Sequence, residues 1–470
     1  MRHITGDSRQ QATLFPDTLD DYIDEDHPVR VIDAFVDTLD MKSLDFSKAE
    51  TLVTGRKPYH PGDLLKLYIY GYLNQTRSSR RLEKECHRNI EVLWLLRRLA
   101  PDFKTISDFR KDNGKAVHGA CRAFIHFCRQ ANLLTGRLVA IDGSKFKAAA
   151  SQDNVLTRKQ LSEQRQRVDQ QIEQYLSQLD KADEQDTGVE LGAQRVQKAL
   201  RQLEAEGIEL DVIKAAMDEA GSRQHCPTEP DAKLMRAGRG GMVVGYNVQS
   251  AVDIDSGVIV HHAVNCDGAD NRQLQPMAEA AKNALECSYL DVVADAGYSN
   301  GEQLAACEAQ GITATVPSNR SLNQRDGYFH RADFTYHAEQ DYYVCPAGEI
   351  LHYKTRCNSN KAWLYTRSDC GECALKSRCT RAENRWLSRH FNEEAFARSE
   401  CRLQENPELM KQRMAVERPF AILKHAWGMR RFLCWGLPAV QAEMGIGILS
   451  YNIGRMINRV GTRKLLAALG

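Results

Sequence analysis

The sequence lacks any long apolar run. Its longest apolar stretches, such as 67–73 and 92–96, are far shorter than the roughly 20 residues that a membrane-spanning helix needs. The opening residues, MRHITGDSRQQATLF, also lack the apolar core of a secretory signal peptide. We therefore expect a soluble, cytoplasmic protein with no membrane partner.

Cysteine is too sparse for a disulfide scaffold, since 14 cysteines are spread over 470 residues. In a reducing compartment most of them should be free thiols. Apolar residues make up 42% and charged residues 27%, which is typical of soluble globular protein and excludes a disordered or fibrous chain. A chain of this length is too long for one ordinary domain and indicates about two to four.

An excess of either charge is also missing. The 63 basic and 62 acidic side chains give a net charge of +1, which argues against a uniform polycation that coats nucleic acid. The charges are segregated, however: residues 51–150 carry a net +11 and residues 401–470 a net +7, whereas residues 1–50 carry −7 and residues 156–220 carry −5. If the two basic blocks meet in the fold, they form a surface that suits a polyanion.

The N-terminal third is predicted to be mostly helical. Apolar residues recur near the helical period after Pro28, the tract His60-Pro61-Gly62-Asp63 precedes a second helix, and 82–99 is a third candidate. Basic side chains cluster at the entry to the third helix, among them Arg77, Arg80 and Arg81. This pattern fits a helix-turn-helix-like DNA-binding module, and an ordinary helical bundle with a solvated basic face is the alternative.

From residue 138 the pattern changes to that of an α/β core. The runs 138–143 and 289–295 are short and apolar, which is typical of buried strands, and each contains an acid near its end. Further strands are predicted at 242–251, 258–264 and 312–316. Apolar residues at helical spacing predict a helical hairpin at 156–220. The order of these elements predicts an α/β core that carries insertions.

Two aspartates, Asp142 and Asp295, stand at the predicted strand ends, each close to a glycine. Ligand sites in open α/β sheets lie at such ends. Mg²⁺ prefers carboxylate oxygens and water, and a pair of ions can serve the attacking and leaving oxygens of an in-line phosphoryl displacement. The alternative is that both aspartates only form turns. No glycine-rich phosphate loop or HExxH helix suggests another chemistry.

A third acid lies in the C-terminal basic block. Arg413, Glu417 and Lys424 follow the intervals of a Y-x2-R-x3-E-x6-K signature, although Met410 stands in the place of its tyrosine. Six further tracts, in chain order, are 55–61 (GRKPYHP), 78–83 (SSRRLE), 141–145 (IDGSK), 244–249 (VGYNVQ), 294–298 (ADAGY) and 451–452 (YN). By these tracts and their order the chain resembles, over nearly its whole length, the bacterial insertion-sequence transposases of the DDE type.

The resemblance implies an α/β fold with an RNase H-like catalytic core, a mixed sheet flanked by helices. Together with the predicted elements it gives four parts. They are a helical N-terminal DNA-binding domain at 1–130, the first part of the core at 131–320 with the helical-hairpin insertion at 156–220, a cysteine-containing insertion at 321–400, and C-terminal helices at 401–470 that complete the core.

The resemblance also implies the site. Asp142, Asp295 and Glu417 would bind catalytic Mg²⁺ or Mn²⁺ ions. Arg413 and Lys424 would flank the last acid on one helix, because steps of 4 and 7 residues keep the side chains on one face. They would hold phosphate oxygens, and a surface ladder of salt bridges is the alternative. Lys145, after the first acid, either contacts DNA or is a solvated charge.

Five cysteines fall in the long stretch between the second and third acids. Cys370 and Cys373 have zinc-knuckle spacing, and with Cys345 and Cys379 they form the natural quartet for a structural Zn²⁺ ion. Cys357 is left over. Free structural thiols are the alternative.

The expected function is therefore that of a DNA transposase. It would bind the terminal inverted repeats of its own element as double-stranded DNA, cleave the strand at the element ends and join the freed 3′-hydroxyl to target DNA. Two ends must be brought together, which implies a homodimer or larger assembly at the synapse. The expected location is the bacterial cytoplasm, in association with the nucleoid. The alternatives are a metal-dependent nuclease of the same fold that does not join strands, and a transposase-derived DNA-binding regulator.

Overall fold

The computed structural model describes residues 18–50, 57–184, 190–237, 241–319 and 327–470. Of the tract 55–61, Gly55 and Arg56 lie outside the described residues, as do residues 1–17 of the expected N-terminal domain. Within the described ranges, every helix is too short or too polar to span a bilayer.

Helices build the N-terminal region, as its sequence pattern predicts. They are α1 (Pro28–Asp37), α2 (Pro61–Leu73), α3 (Ser79–Arg88), α4 (Ile90–Leu95), α5 (Phe103–Asp112) and α6 (Gly114–Gln130). Nδ1 of His60 accepts a hydrogen bond from the backbone of Gly62 and so fixes the start of α2. The single helix predicted at 82–99 is wrong: Asn89 leaves the helical conformation after α3, and its side chain caps α4.

The central sheet is mixed, and helices pack against it. Its strands are β1 (Leu138–Lys147), β4 (Lys233–Arg236), β5 (Met242–Asp253), β6 (Ile259–Asn265), β7 (Leu290–Ala294) and β8 (Ile312–Thr315). The strand order is β4-β5-β1-β7-β8. β6 also pairs with β5, along residues 247–252, whereas β4 pairs with residues 242–245 of that strand. β5 runs antiparallel to β1, whereas β7 runs parallel to both β1 and β8. Helix α9 (Leu274–Leu285) lies between β6 and β7, and α10 (Gly301–Ala309) connects the parallel strands β7 and β8. The expected α/β class is confirmed.

A helical hairpin interrupts this core between β1 and β4. Its helices are α7 (Arg158–Glu184) and α8 (Glu190–Glu219), and the short strands β2 (Leu156–Thr157) and β3 (Gln224–His225) pair at its base. The hairpin has a small apolar core of its own. The buried members are Leu161, Val168, Leu210, Ile213 and Met217. Because so few apolar residues are buried here, most of the side chains that the structure describes on these two helices stay exposed.

A second insertion, between β8 and the C-terminal helices, is a separate antiparallel sheet. Its strands are β9 (Thr335–His337), β10 (Tyr342–Val344), β11 (Ile350–Cys357), β12 (Ala362–Thr366) and β13 (Trp386–His390), in the order β13-β12-β11-β10-β9. The helical turn α11 (Lys376–Cys379) follows the fourth strand. The core of this sheet is small: the buried side chains are Phe334, Tyr343, Leu351, Tyr365 and Leu387.

The C-terminal helices close the molecule. They are α12 (Glu393–Glu405), α13 (Glu408–Gln412), α14 (Glu417–Ala421), α15 (Leu437–Val460) and α16 (Thr462–Leu469). α15 is buried over most of its length and packs on α2, α5, α6 and β6. The N-terminal helices and the sheet therefore share one hydrophobic core.

Candidate active site

Asp142 and Asp295 lie at the same level of two adjacent parallel strands. The last register pair between β1 and β7 is Ile141 with Ala294, so the two aspartates are the next residues on neighbouring strands. Paired strands run about 4.8 Å apart, which brings the two carboxyl groups to one place. Asp142 does not end its strand as expected, because β1 continues to Lys147 by pairing with β5 after its pairing with β7 has stopped at Ile141.

Each aspartate is held by a local hydrogen bond. Oδ1 of Asp295 accepts the backbone N–H of Gly297 at 2.8 Å and starts a short 3₁₀ turn, Ala296–Tyr298. Oδ1 of Asp142 accepts the N–H of Gly143 at 2.7 Å. The turn-forming role considered for these residues therefore occupies only one oxygen of each carboxylate.

Arg413 joins the first acid to the third. Its Nη1 donates to Oδ2 of Asp142 at 3.2 Å, and its Nη2 donates to Oε1 of Glu417 at 3.4 Å. The Arg413 and Asp142 side chains are 16% and 20% exposed, whereas that of Glu417 is 56% exposed. The contact with Glu417 spans four residues along the chain, as an ion-pair ladder would, but the contact with Asp142 ties this segment to the sheet.

The segment that carries Glu417 is helical but not a single α-helix. After α13, residues Arg413–Val416 form a 3₁₀ turn, α14 follows, and Ile422–Ala426 form a turn of π-helix. Pro419 lies inside this segment and has no N–H to donate, which interrupts the α-helical bonding pattern. Single π turns of this kind occur frequently at functional sites.

The π turn carries Lys424 to the strand of Asp142. Its Nζ donates to Oγ of Ser144 at 2.6 Å and to the carbonyl oxygen of Lys145 at 2.7 Å. The ammonium also lies over the ring of Phe146, 4.4 Å from its centroid. The pKa of Lys424 is lowered to about 8, chiefly by burial and next by the charge of Lys145, while Asp142 opposes the shift.

The acids concentrate negative charge. The pKa of Asp142 is raised to about 6, chiefly by burial and next by the neighbouring charge of Asp295, while the Gly143 N–H and Arg413 oppose the shift. A divalent cation would relieve this repulsion and favour the ionised form. Oxygen donors of this kind suit Mg²⁺ or Mn²⁺. In addition, Nε of Arg413 and Oγ of Ser250 are buried without a hydrogen-bond partner in the part of the chain that the structure describes.

The carboxylates are the right type of ligand for a divalent cation, but they are not arranged around a common point. Among the described residues, no group of three or more His, Cys, Asp or Glu side chains is arranged to hold a metal ion. Glu417 points toward Arg413 and solvent, so its carboxylate would have to turn inward to complete the set.

A fourth carboxylate, Asp270, lies beside the site, and sequence reasoning missed it. It precedes α9 in a loop and pairs with Lys145, whose side chain is only 12% exposed. The structure therefore places Lys145 against a carboxylate, with little of its surface open to DNA. The signal in the sequence was the tract 244–249 (VGYNVQ), whose two amide side chains, Asn247 and Gln249, contact Asp270.

The three arginines predicted to bind DNA are not equivalent. Arg77 is taken up by contacts inside the molecule: Nη2 donates to the carbonyl oxygen of Gly428 at 2.9 Å, and Nη1 pairs with Glu443 at 3.3 Å. Arg80 and Arg81 are exposed on the first turn of α3. Of the three, these two are the better placed to reach DNA.

Four of the five clustered cysteines line one pocket of about 460 Å³. They are Cys345, Cys370, Cys373 and Cys379. Cys357 lies apart, with its sulfur 3.2 Å from Oγ of Ser359. Burial raises the pKa of the Cys379 thiol, and the other three thiols of the pocket raise it further. All 14 cysteines are free thiols.

In comparison with known protein families, two family models match parts of this chain. The helical region 17–112 matches the model described as "Transposase domain (DUF772)", and residues 223–453 match "Transposase DDE domain". The second match contains Asp295 and Glu417 and begins after Asp142. No curated protein sequence matches the chain. Among solved structures, a cryo-EM structure of the piggyBac transposase synaptic complex with hairpin DNA is similar with a TM-score of 0.36 and 10% identity, covering 94% of this chain and 79% of that chain.

Proposed function

The chain belongs to the DDE transposases and has their RNase H-like core, and from that premise we propose that it cleaves DNA at the ends of its own element and joins the 3′-hydroxyl to target DNA. One observation supports this above the others. Asp142 and Asp295 are adjacent across paired parallel strands, and Arg413 ties the segment of Glu417 to them.

In this proposal Asp142, Asp295 and Glu417 hold the catalytic Mg²⁺ or Mn²⁺. Bound there, the ions would activate the attacking oxygen and stabilise the leaving oxygen of phosphoryl displacement. The protein's own groups bind and orient the DNA strand. Arg413, whose guanidinium bridges Asp142 and Glu417, would bind a phosphate oxygen beside them. Lys424 is anchored beside Ser144, with its positive charge next to the acids.

The N-terminal helices are proposed to bind the terminal inverted repeats. The exposed side chains of Arg80 and Arg81 would contact phosphates, within a block of residues 51–150 that carries a net +11. The proposed domain division is the one expected from sequence, at about 130, 320 and 400. Because two ends are joined in one reaction, at least a homodimer would form on DNA. Because its proposed substrate is bacterial DNA, the protein is proposed to lie in the cytoplasm, in association with the nucleoid.

The experiment that tests this function uses a duplex cut from the DNA that borders the gene. Wild-type protein with Mg²⁺ should cleave it at the element end and produce strand-transfer products with a target plasmid. Asp142→Ala and Asp295→Ala should abolish cleavage and retain binding of the duplex, whereas Asp291→Ala, on the strand that precedes Asp295, should still cleave. A variant of either active-site aspartate that cleaves at the wild-type rate would overturn the site.

The same experiment separates the alternatives. Cleavage without joined products would indicate a nuclease of the same fold. Binding without cleavage by wild-type protein would indicate a DNA-binding regulator. No observation favours either of these over the transposase.

We further propose that the pocket of Cys345, Cys370, Cys373 and Cys379 holds a structural Zn²⁺ ion. Three considerations support this proposal: the four thiols share one pocket, Cys357 stands apart from it, and the sheet around them has only a small apolar core. Small units with such cores often depend on a metal for stability. Small rotations of the side chains would have to bring the four sulfurs together around the ion.

A further inference from the structure

Asp270, in the loop between β6 and α9, is unusually well satisfied for a carboxylate beside a cluster of acids. Its Oδ1 accepts a hydrogen bond from Nδ2 of Asn247 at 2.7 Å and from Nε2 of Gln249 at 2.6 Å. Nζ of Lys145 donates to Oδ1 at 3.2 Å and to Oδ2 at 3.3 Å. Two amide donors and an ammonium together hold this carboxylate in a fixed place.

The donors come from the two strands that build the site. In the β1–β5 register, Lys145 pairs with Asn247 and Gly143 pairs with Gln249. Because successive side chains of a strand point to opposite faces, these residues share the face that Asp142 does not use. Asp270 therefore clamps the reverse side of the strand that carries the first catalytic acid.

Gly143 shows how closely the loop approaches this strand. A Cβ atom built at residue 143 would lie 2.4 Å from Nε2 of Gln249 and 2.7 Å from Oδ1 of Asp270. Any side chain there would displace the hydrogen-bonded groups. The residue that follows Asp142 must therefore be glycine for this network to form.

The network also reaches the second acid. The hydroxyl of Tyr298 donates to Oε1 of Gln249, and Tyr298 is buried in the 3₁₀ turn that Asp295 caps. A second bond runs from Nδ2 of Asn300 to the carbonyl oxygen of Asn271, next to Asp270, at 3.0 Å. The loop of Asp270 is thus joined both to the strand of Asp142 and to the turn of Asp295.

Two adjacent carboxylates repel each other when both are ionised, so a site that needs both must hold their backbones in place. We infer that Asp270 is the positioning residue that does so: through Gln249 it fixes the turn of Asp295 against the strand of Asp142. The inference rests on the proposed function for its catalytic meaning. Asp270 is not among the proposed metal ligands: Asn247 and Gln249 donate to its Oδ1, and Lys145 contacts both of its oxygens.

The first test compares full-length variants in single-turnover cleavage of the duplex described above. Asp270→Ala should lower the cleavage rate about 10- to 100-fold, the usual range for a group that orients metal ligands. Its affinity for the duplex should stay within about twofold, and it should need more Mg²⁺ for half-maximal rate. Asp270→Asn should be intermediate, because it keeps an acceptor oxygen. Asp267→Ala is the matched control, since that exposed carboxylate accepts only from Gln273, at 3.4 Å.

A double-mutant cycle tests the route through Gln249. Tyr298→Phe removes the hydroxyl that donates to Gln249. The double variant Asp270→Ala/Tyr298→Phe should lose less cleavage rate than the product of the two separate rate losses, because each substitution breaks the same link. In the double variant Asp267→Ala/Tyr298→Phe, the rate effects of the two substitutions should simply multiply. Wild-type cleavage by Asp270→Ala, or a rate loss matched by lost DNA affinity, would overturn the inference.

Amide hydrogen exchange gives a readout that needs no DNA. The N–H groups of Gly143 and Gly297 are bonded to the two catalytic aspartates, and both should exchange faster in Asp270→Ala than in wild type or Asp267→Ala. Unchanged exchange at both glycines would contradict the positioning role. If wild-type protein cleaved no DNA, the proposed function would fail, and exchange would still decide whether Asp270 holds the two segments.

Discussion

Nη1 of Arg77 lies 3.3 Å from Oε1 of Glu443, and this pair joins the N-terminal helices to α15 across 366 positions of sequence. Glu443 is fully buried, and its other oxygen accepts two backbone N–H groups of the loop that follows Lys424. The same guanidinium donates to a carbonyl oxygen of that loop, at Gly428. Arg77 therefore fastens the proposed end-binding helices to the neighbourhood of the active site.

Arg77→Ala should destabilise the protein substantially. It leaves the carboxylate of Glu443 buried without its cationic partner, and breaking a buried ion pair in this way costs about 3–5 kcal/mol. Urea unfolding followed by circular dichroism measures the change. Arg81→Ala, an exposed neighbour on α3, is the control and should leave the midpoint almost unchanged. Equal midpoints for the two variants would show that the pair does not hold the parts together.

Arg80→Ala and Arg81→Ala should instead weaken DNA binding. If each arginine neutralises one phosphate, each loss should reduce the slope of log affinity against log salt by about 0.9. Titration of an end duplex at several salt concentrations measures the slope. Lys159→Ala, an exposed lysine of the helical hairpin, should leave it unchanged. An unaltered slope in both arginine variants would remove α3 from the DNA interface.

The raised pKa of Asp142 predicts a pH-dependent stability. The carboxyl has a pKa of about 6 in the folded protein against its ordinary value of 3.8, so its protonated form stabilises the fold fully below about pH 4. That contribution is lost as the pH rises through about 6, because the charged form is disfavoured. Asp142→Asn should therefore stabilise the metal-free protein more at pH 8 than at pH 5, by roughly 1–3 kcal/mol at the higher pH. Thermal unfolding at the two pH values tests this, and an equal effect at both would contradict it.

Added Mg²⁺ should act on the same carboxylates. Binding to the folded state alone raises stability with ligand concentration, so millimolar Mg²⁺ should raise the melting temperature of wild-type protein at pH 8. Asp142→Asn and Asp295→Asn should show little or no rise, whereas Asp291→Asn should respond like wild type. If Mg²⁺ changes the melting temperature of wild type and of both site variants equally, these aspartates do not bind the ion.

The cysteine pocket should contain about one zinc per chain after purification and washing with chelator. Cys373→Ser should lose the metal and lower the melting temperature, because a structural zinc contributes folding energy. Cys357→Ser, outside the pocket, should keep the metal. Elemental analysis by mass spectrometry decides the matter, and a stoichiometry near zero in wild-type protein removes the proposal.

Much of the fold could be predicted from local pattern. The apolar runs before Asp142 and Asp295 predicted two buried strands, and both strands form. The helix predicted at 82–99 failed because one capping residue, Asn89, outweighed a continuous apolar pattern. The single helix predicted around Glu417 also failed, since Pro419 and a π turn change its winding. Both errors lie at positions where one side chain redirects the backbone.

By itself the sequence determined the candidate acids and the cysteine quartet, because each stands in a short local tract, and the resemblance of those tracts to a known family implied the class of protein. Tertiary structure alone decided which charges meet. It placed Lys145 against Asp270, buried Arg77 against Glu443 and left Arg80 and Arg81 exposed. These contacts join residues more than 100 positions apart, and no local periodicity encodes such a pairing. The near-zero net charge therefore says little about DNA binding; the folded surface determines which charges remain available for it.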